Sequence, residues 1–116
     1  MTKDIRVYHN PRCAKSRAAL AFLEERGLEF ELIRYFDEPF TRESLKDLLG
    51  KLDMNAEDLL RKNEQYFKAH LKGQELGEAD LINHMVKEPK LIERPIVLRG
   101  AKAVIGRPTE KISELL

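Results

Sequence analysis

Nine consecutive residues carry most of the chemistry this chain can do: His9-Asn10-Pro11-Arg12-Cys13-Ala14-Lys15-Ser16-Arg17. Cys13 is the only cysteine in 116 residues. The stretch follows an extended run, Ile5-Arg6-Val7-Tyr8, and opens a helical run from Ala18 to Arg26. Asn-Pro is a turn dipeptide, so the pattern predicts Cys13 on a tight loop between a strand and a helix, at the helix N-terminus. The unpaired N–H groups and positive dipole end there favour an anion. A thiolate is one, and at such positions the thiol pKa falls from about 8.5 into a range of roughly 3.5–7.5. Arg12, Lys15 and Arg17 add positive charge, Ser16 adds a hydroxyl, and the same amides can cradle an oxyanion beside the sulfur. A lone cysteine in a small protein is more often a buried apolar filler. A filler belongs on the apolar stripe of an element, whereas this one falls in a polar, cation-rich loop.

The elements that must position this loop are legible from periodicity. Ile5 to Tyr8 reads as strand one, with β-branched and aromatic residues. Helix one runs from about Cys13 to Arg26, with Ala19, Leu20, Phe22 and Leu23 on its apolar face and Gly27 as its C′ residue. Phe30 to Tyr35 reads as strand two, parallel to strand one across the βαβ unit. A helical insert then occupies residues 41–90. Thr41 caps a helix with Leu45, Leu48, Leu49 and Leu52 at i, i+3, i+4 and i+7. Asn55 caps a short helix from Ala56 to about Arg61, Gln65 to Leu71 is helical, and Leu81, Ile82, Met85 and Val86 mark a helix that ends near Pro89. Ile96 to Arg99 and Ala103 to Ile105 form strands three and four, joined by a link short enough only for an antiparallel hairpin. A last helix starts near Pro108, with Thr109 as its cap. The order β-α-β, insert, β-β-α is that of an α/β, thioredoxin-like fold with a mixed four-stranded sheet; another small α/β sandwich is the alternative. The length suits one domain spanning residues 1–116.

Strand direction then brings two arginines to the cysteine. Strand one runs toward Cys13. If strand three is antiparallel to it, Arg94-Pro95 at the start of strand three lies on the same edge, and so does Gly106-Arg107-Pro108 at the end of strand four. Each proline disfavours helical backbone for the arginine before it, holding Arg94 and Arg107 extended at the strand ends. Arginine suits an oxyanion because its planar fork binds tetrahedral oxygens in pairs and stays charged. Individually, Arg94 and Arg107 read as two surface arginines among 21 basic residues; their joint placement points to a site.

Composition narrows the function classes. One cysteine cannot form an internal disulfide, and the chain is not a stapled secreted scaffold. No apolar run approaches the ~20 residues of a membrane span, and no secretory signal precedes strand one, so a cytoplasmic protein is expected. The net charge of +1, from 21 basic and 20 acidic residues, makes no case for nucleic acid or a membrane surface. His9, His70 and His84 with Cys13 lack zinc-like spacing, so no metal is expected, and His70 and His84 read as structural or surface residues.

The sequence resembles the arsenate reductase family that works with glutathione and glutaredoxin. The resemblance rests on His9-Asn10-Pro11 before Cys13, Ser16-Arg17 after it, Leu59-Leu60-Arg61-Lys62-Asn63, Leu91-Ile92-Glu93-Arg94-Pro95-Ile96-Val97 and Gly106-Arg107-Pro108. It spans almost the whole chain at family-like spacing. It implies that Cys13 is the nucleophile, that Arg61, Arg94 and Arg107 bind the oxyanion, that His9 tunes the thiolate and that Ser16 supports it. It also implies a cis Arg94–Pro95 peptide, glutathione as co-substrate with no tightly bound cofactor, and a glutaredoxin as protein partner. One departure stands out: the family's best-known reductases carry Gly-Thr after the cysteine, and this chain has Ala14-Lys15. Lys15 either adds charge to the anion cradle or changes which acceptor is used.

Two other readings share the fold. A redox-responsive transcriptional regulator that binds RNA polymerase resembles this family too, but its redox-sensing members usually carry Cys-x-x-Cys, and here the pair is Cys13 and Ser16. A monothiol, glutathione-linked thiol-transfer protein fits Cys-x-x-Ser, since one thiol can form and exchange a mixed disulfide. A pull-down of RNA polymerase with this protein tests the first, and arsenate-dependent turnover separates the second from a reductase.

Overall fold

The computed structural model describes residues 4–9 and 14–116. Within them lie strands β1 (Ile5–Tyr8), β2 (Glu31–Ile33), β3 (Ile96–Arg99) and β4 (Lys102–Ile105). The helices are α1 (Ala14–Glu25), α2 (Arg42–Leu52), α3 (Ala56–Leu59) and α4 (Glu78–Lys87). A π-helical turn, Phe67–Leu71, and two 3-10 segments, Pro89–Leu91 and Thr109–Leu115, complete the order. The chain divides into two compact units: Met1–Glu38 with Arg94–Leu116, and Pro39–Glu93. Arg12 and Cys13 lie outside the described residues, and so does the start of the loop that carries them.

The first unit holds the sheet, in the order β2-β1-β3-β4. β1 pairs parallel with β2 and antiparallel with β3, and β3 pairs antiparallel with β4. This is the mixed four-stranded sheet of the expected α/β, thioredoxin-like fold. Ile5 and Val7 of β1 point into the core while Arg6 is exposed, the alternation a strand with one covered face produces. Ala19 and Leu23 of α1 pack with them, together with Val97, Val104 and Ile112. α1 stops where Gly27 takes φ +67°. The Gly27 N–H then donates to Glu24 O at 3.0 Å and the Leu28 N–H to Leu23 O at 3.1 Å. Those two bonds satisfy the last carbonyls of the helix in a Schellman motif, which is why a glycine stands there.

The second unit is helical. Thr41 Oγ1 accepts from the Ser44 N–H at 3.0 Å and Ser44 Oγ from the Thr41 N–H at 2.8 Å, a reciprocal capping box that starts α2. Leu45, Leu48, Leu49 and Leu52 are buried on its inner face, at the spacing read from the sequence. Leu81, Ile82 and Met85 do the same for α4, which ends before Pro89. Glu78 at the start of α4 accepts the Ala56 N–H at 3.0 Å and so ties α4 to the start of α3.

Three segments differ from the sequence-based expectation. β2 spans only Glu31–Ile33 rather than Phe30 to Tyr35. After it the Arg34 carbonyl accepts from both Asp37 and Glu38, which turns the chain away from the sheet and buries Tyr35. The short helix expected to reach Arg61 ends at Leu59. Leu60 instead forms an antiparallel bridge with Ile92, and Arg61 lies beyond the helix. The terminal segment is a 3-10 helix whose N-cap is Pro108, not Thr109. With three residues per turn, Ile112 and Leu115 line up on one side, and both pack on the core of the first unit.

Candidate active site

Two arginines meet at one end of the β3–β4 hairpin. Arg94 precedes β3 and Arg107 follows β4, and the peptide bonds Arg94–Pro95 and Arg107–Pro108 are both cis. The first of these is the isomer expected from the resemblance; the second was not foreseen. The Gly106 N–H donates to Pro95 O at 2.8 Å, and Arg107 Nε donates to Arg94 O at 2.6 Å. The two Arg-Pro segments are therefore stitched to each other through backbone acceptors. Glycine at position 106 eases this approach, because a Cβ there would stand 3.1 Å from Pro95 Cγ, tighter than most Cβ contacts.

The antiparallel register Tyr8↔Ile96 sets the end of β1 beside the start of β3. His9, one residue past β1, donates its N–H to Ile33 O at 2.8 Å. Its residue is 4% exposed, and its Nδ1 is buried without a hydrogen-bond partner among the described residues. Burial lowers the His9 pKa below its ordinary value, and the positive charges of Arg34 and Arg17 lower it further. A neutral imidazole offers ring nitrogens for hydrogen bonding rather than a fixed positive charge. Ser16 is fully buried on α1.

Arg94 is the most informative side chain at this end. Its Nε and Nη1 are buried and have no hydrogen-bond partner among the described residues. Buried donors are ordinarily paired, and an arginine cannot escape the cost by losing its charge. Two buried guanidinium donors without an acceptor among the described residues are donors suited to an anion.

Arg61 belongs to the second unit. Its side chain is 12% exposed and bracketed by carboxylates. Glu93 Oε1 stands 2.9 Å from Nε, in ion-pair contact but outside hydrogen-bond geometry, and Nη1 donates to Glu64 Oε1 at 3.3 Å. Arg61 N–H donates to Leu91 O at 2.7 Å, which sets the start of the side chain.

The sequence matches the ArsC family over residues 8–115. The chain belongs to that family. It is 47% identical to an uncharacterized protein of Escherichia coli K12, over all of this chain and 99% of the other. It is 43% identical to an arsenate reductase of Neisseria meningitidis, over 97% of this chain and 98% of the other. Among solved structures, an arsenate reductase from Vibrio cholerae superposes with a TM-score of 0.92 at 37% identity, over all of both chains.

Within this ArsC-family chain the structure brings His9, Arg94 and Arg107 to the same end of one sheet. Arg61 is described in its own unit, and Cys13 lies outside the described residues. Sequence reasoning missed Glu64 and Glu93 as partners of Arg61, and Arg34 as a charge acting on His9. Glu64 stands three residues after Arg61, a spacing that brings side chains together in a turn, and was the one available signal. Tyr66 OH lies in hydrogen-bond contact with His84 Nδ1 at 3.2 Å, and the Tyr66 ring meets the His70 ring at a tilt of 50° with centroids 4.8 Å apart, so Tyr66 contacts both histidines. Among the described residues no group of three or more His, Cys, Asp or Glu is placed to hold a metal ion, and no helix is long and apolar enough to cross a membrane.

The state of His9 has a pH consequence. A histidine whose folded pKa is lowered binds fewer protons folded than unfolded near and below pH ~6.5. Its contribution to stability is therefore present above that value and is lost as pH falls through the lowered folded pKa. In urea titrations the parent is expected to lose stability as pH falls from 7 to 5, and His9→Gln to show a shallower dependence. Equal slopes for the two proteins would mean that His9 titrates alike folded and unfolded.

Proposed function

We propose that this ArsC-family protein is a thiol-dependent reductase of arsenate to arsenite, with Cys13 as nucleophile and Arg61, Arg94 and Arg107 holding the oxyanion. The observation that carries this reading is the pair of buried donors on Arg94 that have no partner among the described residues, one residue before the proline that precedes β3. Arsenate reductases among the relatives support the same substrate. His9 serves as a neutral hydrogen-bonding partner that tunes the thiolate, and Ser16 supports the cysteine loop.

The reaction follows from one thiol per chain. The Cys13 thiolate attacks the arsenic of bound arsenate and displaces water, giving a sulfur–arsenic bond. Arg61, Arg94 and Arg107 neutralise the oxygens, whose negative charge otherwise repels a thiolate. A glutathione thiolate then attacks the Cys13 sulfur. The sulfur–sulfur bond forms as the sulfur–arsenic bond breaks, its electron pair stays on arsenic, and arsenic falls from the pentavalent to the trivalent state. Glutathione is a co-substrate here rather than a bound cofactor. The mixed disulfide left on Cys13 is cleared by thiol–disulfide exchange with a glutaredoxin. No metal takes part, and the reducing thiols this scheme needs are those of the cytoplasm.

The test is arsenite formation by purified protein supplied with arsenate, glutathione and a glutaredoxin. Turnover under those conditions is the expected result. If the oxyanion binds and no thiol system supports its reduction, Ala14-Lys15 becomes the feature that redirects this chain to another acceptor, and the reductase reading fails.

A further inference from the structure

Arg61 does not stand as a bare cation. Leu60 and Ile92 form an isolated antiparallel bridge and are both buried. Either side of that bridge, the Arg61 N–H donates to Leu91 O at 2.7 Å and the Glu93 N–H donates to Leu59 O at 2.9 Å. In such a pair, residues 61 and 93 flank the bridged pair on the opposite face and are diagonal neighbours. Backbone hydrogen bonds therefore set Arg61 and Glu93 against each other. This differs from two long surface side chains that happen to meet, a contact that contributes little. The side chains are 12% exposed for Arg61, 27% for Glu93 and 23% for Glu64. Glu93 sits at Nε and Glu64 at Nη1. Nη2 alone among the guanidinium nitrogens has no such contact among the described residues.

From this geometry we infer that Glu93 is a positioning residue for the oxyanion site: it fixes the Arg61 guanidinium by its Nε side and leaves Nη2 as the donor end for the oxyanion. The inference rests on reading Arg61 as an oxyanion ligand. Arginine carries much rotamer freedom, and a ligand that must be ordered at the moment of binding binds less tightly than one held beforehand. A carboxylate beside the guanidinium also repels an incoming anion. If Glu93 merely neutralised Arg61, removing it would tighten arsenate binding. A positioning role predicts the opposite sign.

The experiment is calorimetric titration of arsenate into the parent, Arg61→Ala, Glu93→Ala and the double variant, with circular dichroism to confirm that each is folded. Glu93→Ala is expected to weaken binding by roughly three- to tenfold, at or below the low end of what partners of direct ligands cost. In the Arg61→Ala background the same change is expected to cost nothing further, because its effect passes through Arg61. Glu93→Gln keeps the shape without the charge and is expected to fall between the parent and Glu93→Ala. If Glu93→Ala does not fold, Glu93→Gln carries the same cycle. Unchanged or tighter binding in a folded Glu93 variant overturns the inference, and so does a loss that persists in full when Arg61 is already alanine. If Arg61→Ala itself binds arsenate like the parent, the reading of Arg61 as a ligand fails and the inference falls with it.

Discussion

Cys13→Ser is expected to lower arsenite formation by at least about a thousandfold, on the scale that loss of a nucleophile has in other enzymes. A serine hydroxyl is not ionised near neutral pH, and its oxygen cannot form the sulfur–sulfur bond on which the electron transfer ends. The variant still binds oxyanion if Arg61, Arg94 and Arg107 are the ligands, so binding and turnover separate. The parent shows the other half of the same constraint. Reduction of arsenate needs two electrons, and this chain has no second cysteine with which to close its own disulfide. The second thiol must arrive from solution. Parent turnover is therefore expected to require glutathione, to rise strongly with glutaredoxin, and to stay low with thioredoxin alone. Arsenite production measured under each reductant decides it. Full-rate turnover by monomeric protein with thioredoxin and no small thiol would sink the mechanism.

Arg94→Lys is expected to weaken arsenate binding about ten- to a hundredfold while leaving the fold intact. Lysine keeps the charge and loses the fork. One hydrogen bond to a charged group is worth ~1.5–3 kcal/mol, which converts to that range of affinity. Arg94 is the cleaner of the two hairpin arginines to change, because its Nε and Nη1 have no partner among the described residues to lose. Arg107 differs: its Nε donates to the Arg94 carbonyl at 2.6 Å, so Arg107→Lys also loosens the backbone that carries Arg94. A calorimetric titration of Arg94→Lys with arsenate, beside its circular dichroism spectrum, makes the measurement. Parent-like affinity in a folded Arg94→Lys protein removes Arg94 from the anion clamp.

Local chemistry made the element order and the candidate nucleophile readable from the chain itself. Leu45, Leu48, Leu49 and Leu52 repeat at helical spacing, and the structure buries all four. Gly27 stands where a helix must end, and it takes the positive φ that the end needs. Asn10-Pro11 before Cys13 marks a loop at a helix start from residue types alone. Even the meeting of Arg94 and Arg107 followed from strand direction, since a short link between β3 and β4 allows only a reversal, and the reversal returns both Arg-Pro dipeptides to one edge. These are effects of neighbours in sequence, or of a topology with few alternatives.

Contacts between distant residues were decided only in three dimensions. The chain after Leu59 carries no mark that it will leave the helix to bridge Ile92, so Arg61 read as helical when it lies beyond the helix end. Glu93 gives no periodic sign that it faces Arg61, because the bridge that aligns them joins segments more than thirty positions apart in the sequence. His9 could be named as a partner for the thiolate. Its lowered pKa, however, depends on how deeply the fold buries it and on Arg34, which arrives from beyond β2. Residue types thus determine which groups can do the chemistry and which local elements hold them. Burial, protonation state and the partner of each charge are sums over the surrounding structure, and only the tertiary fold sets them.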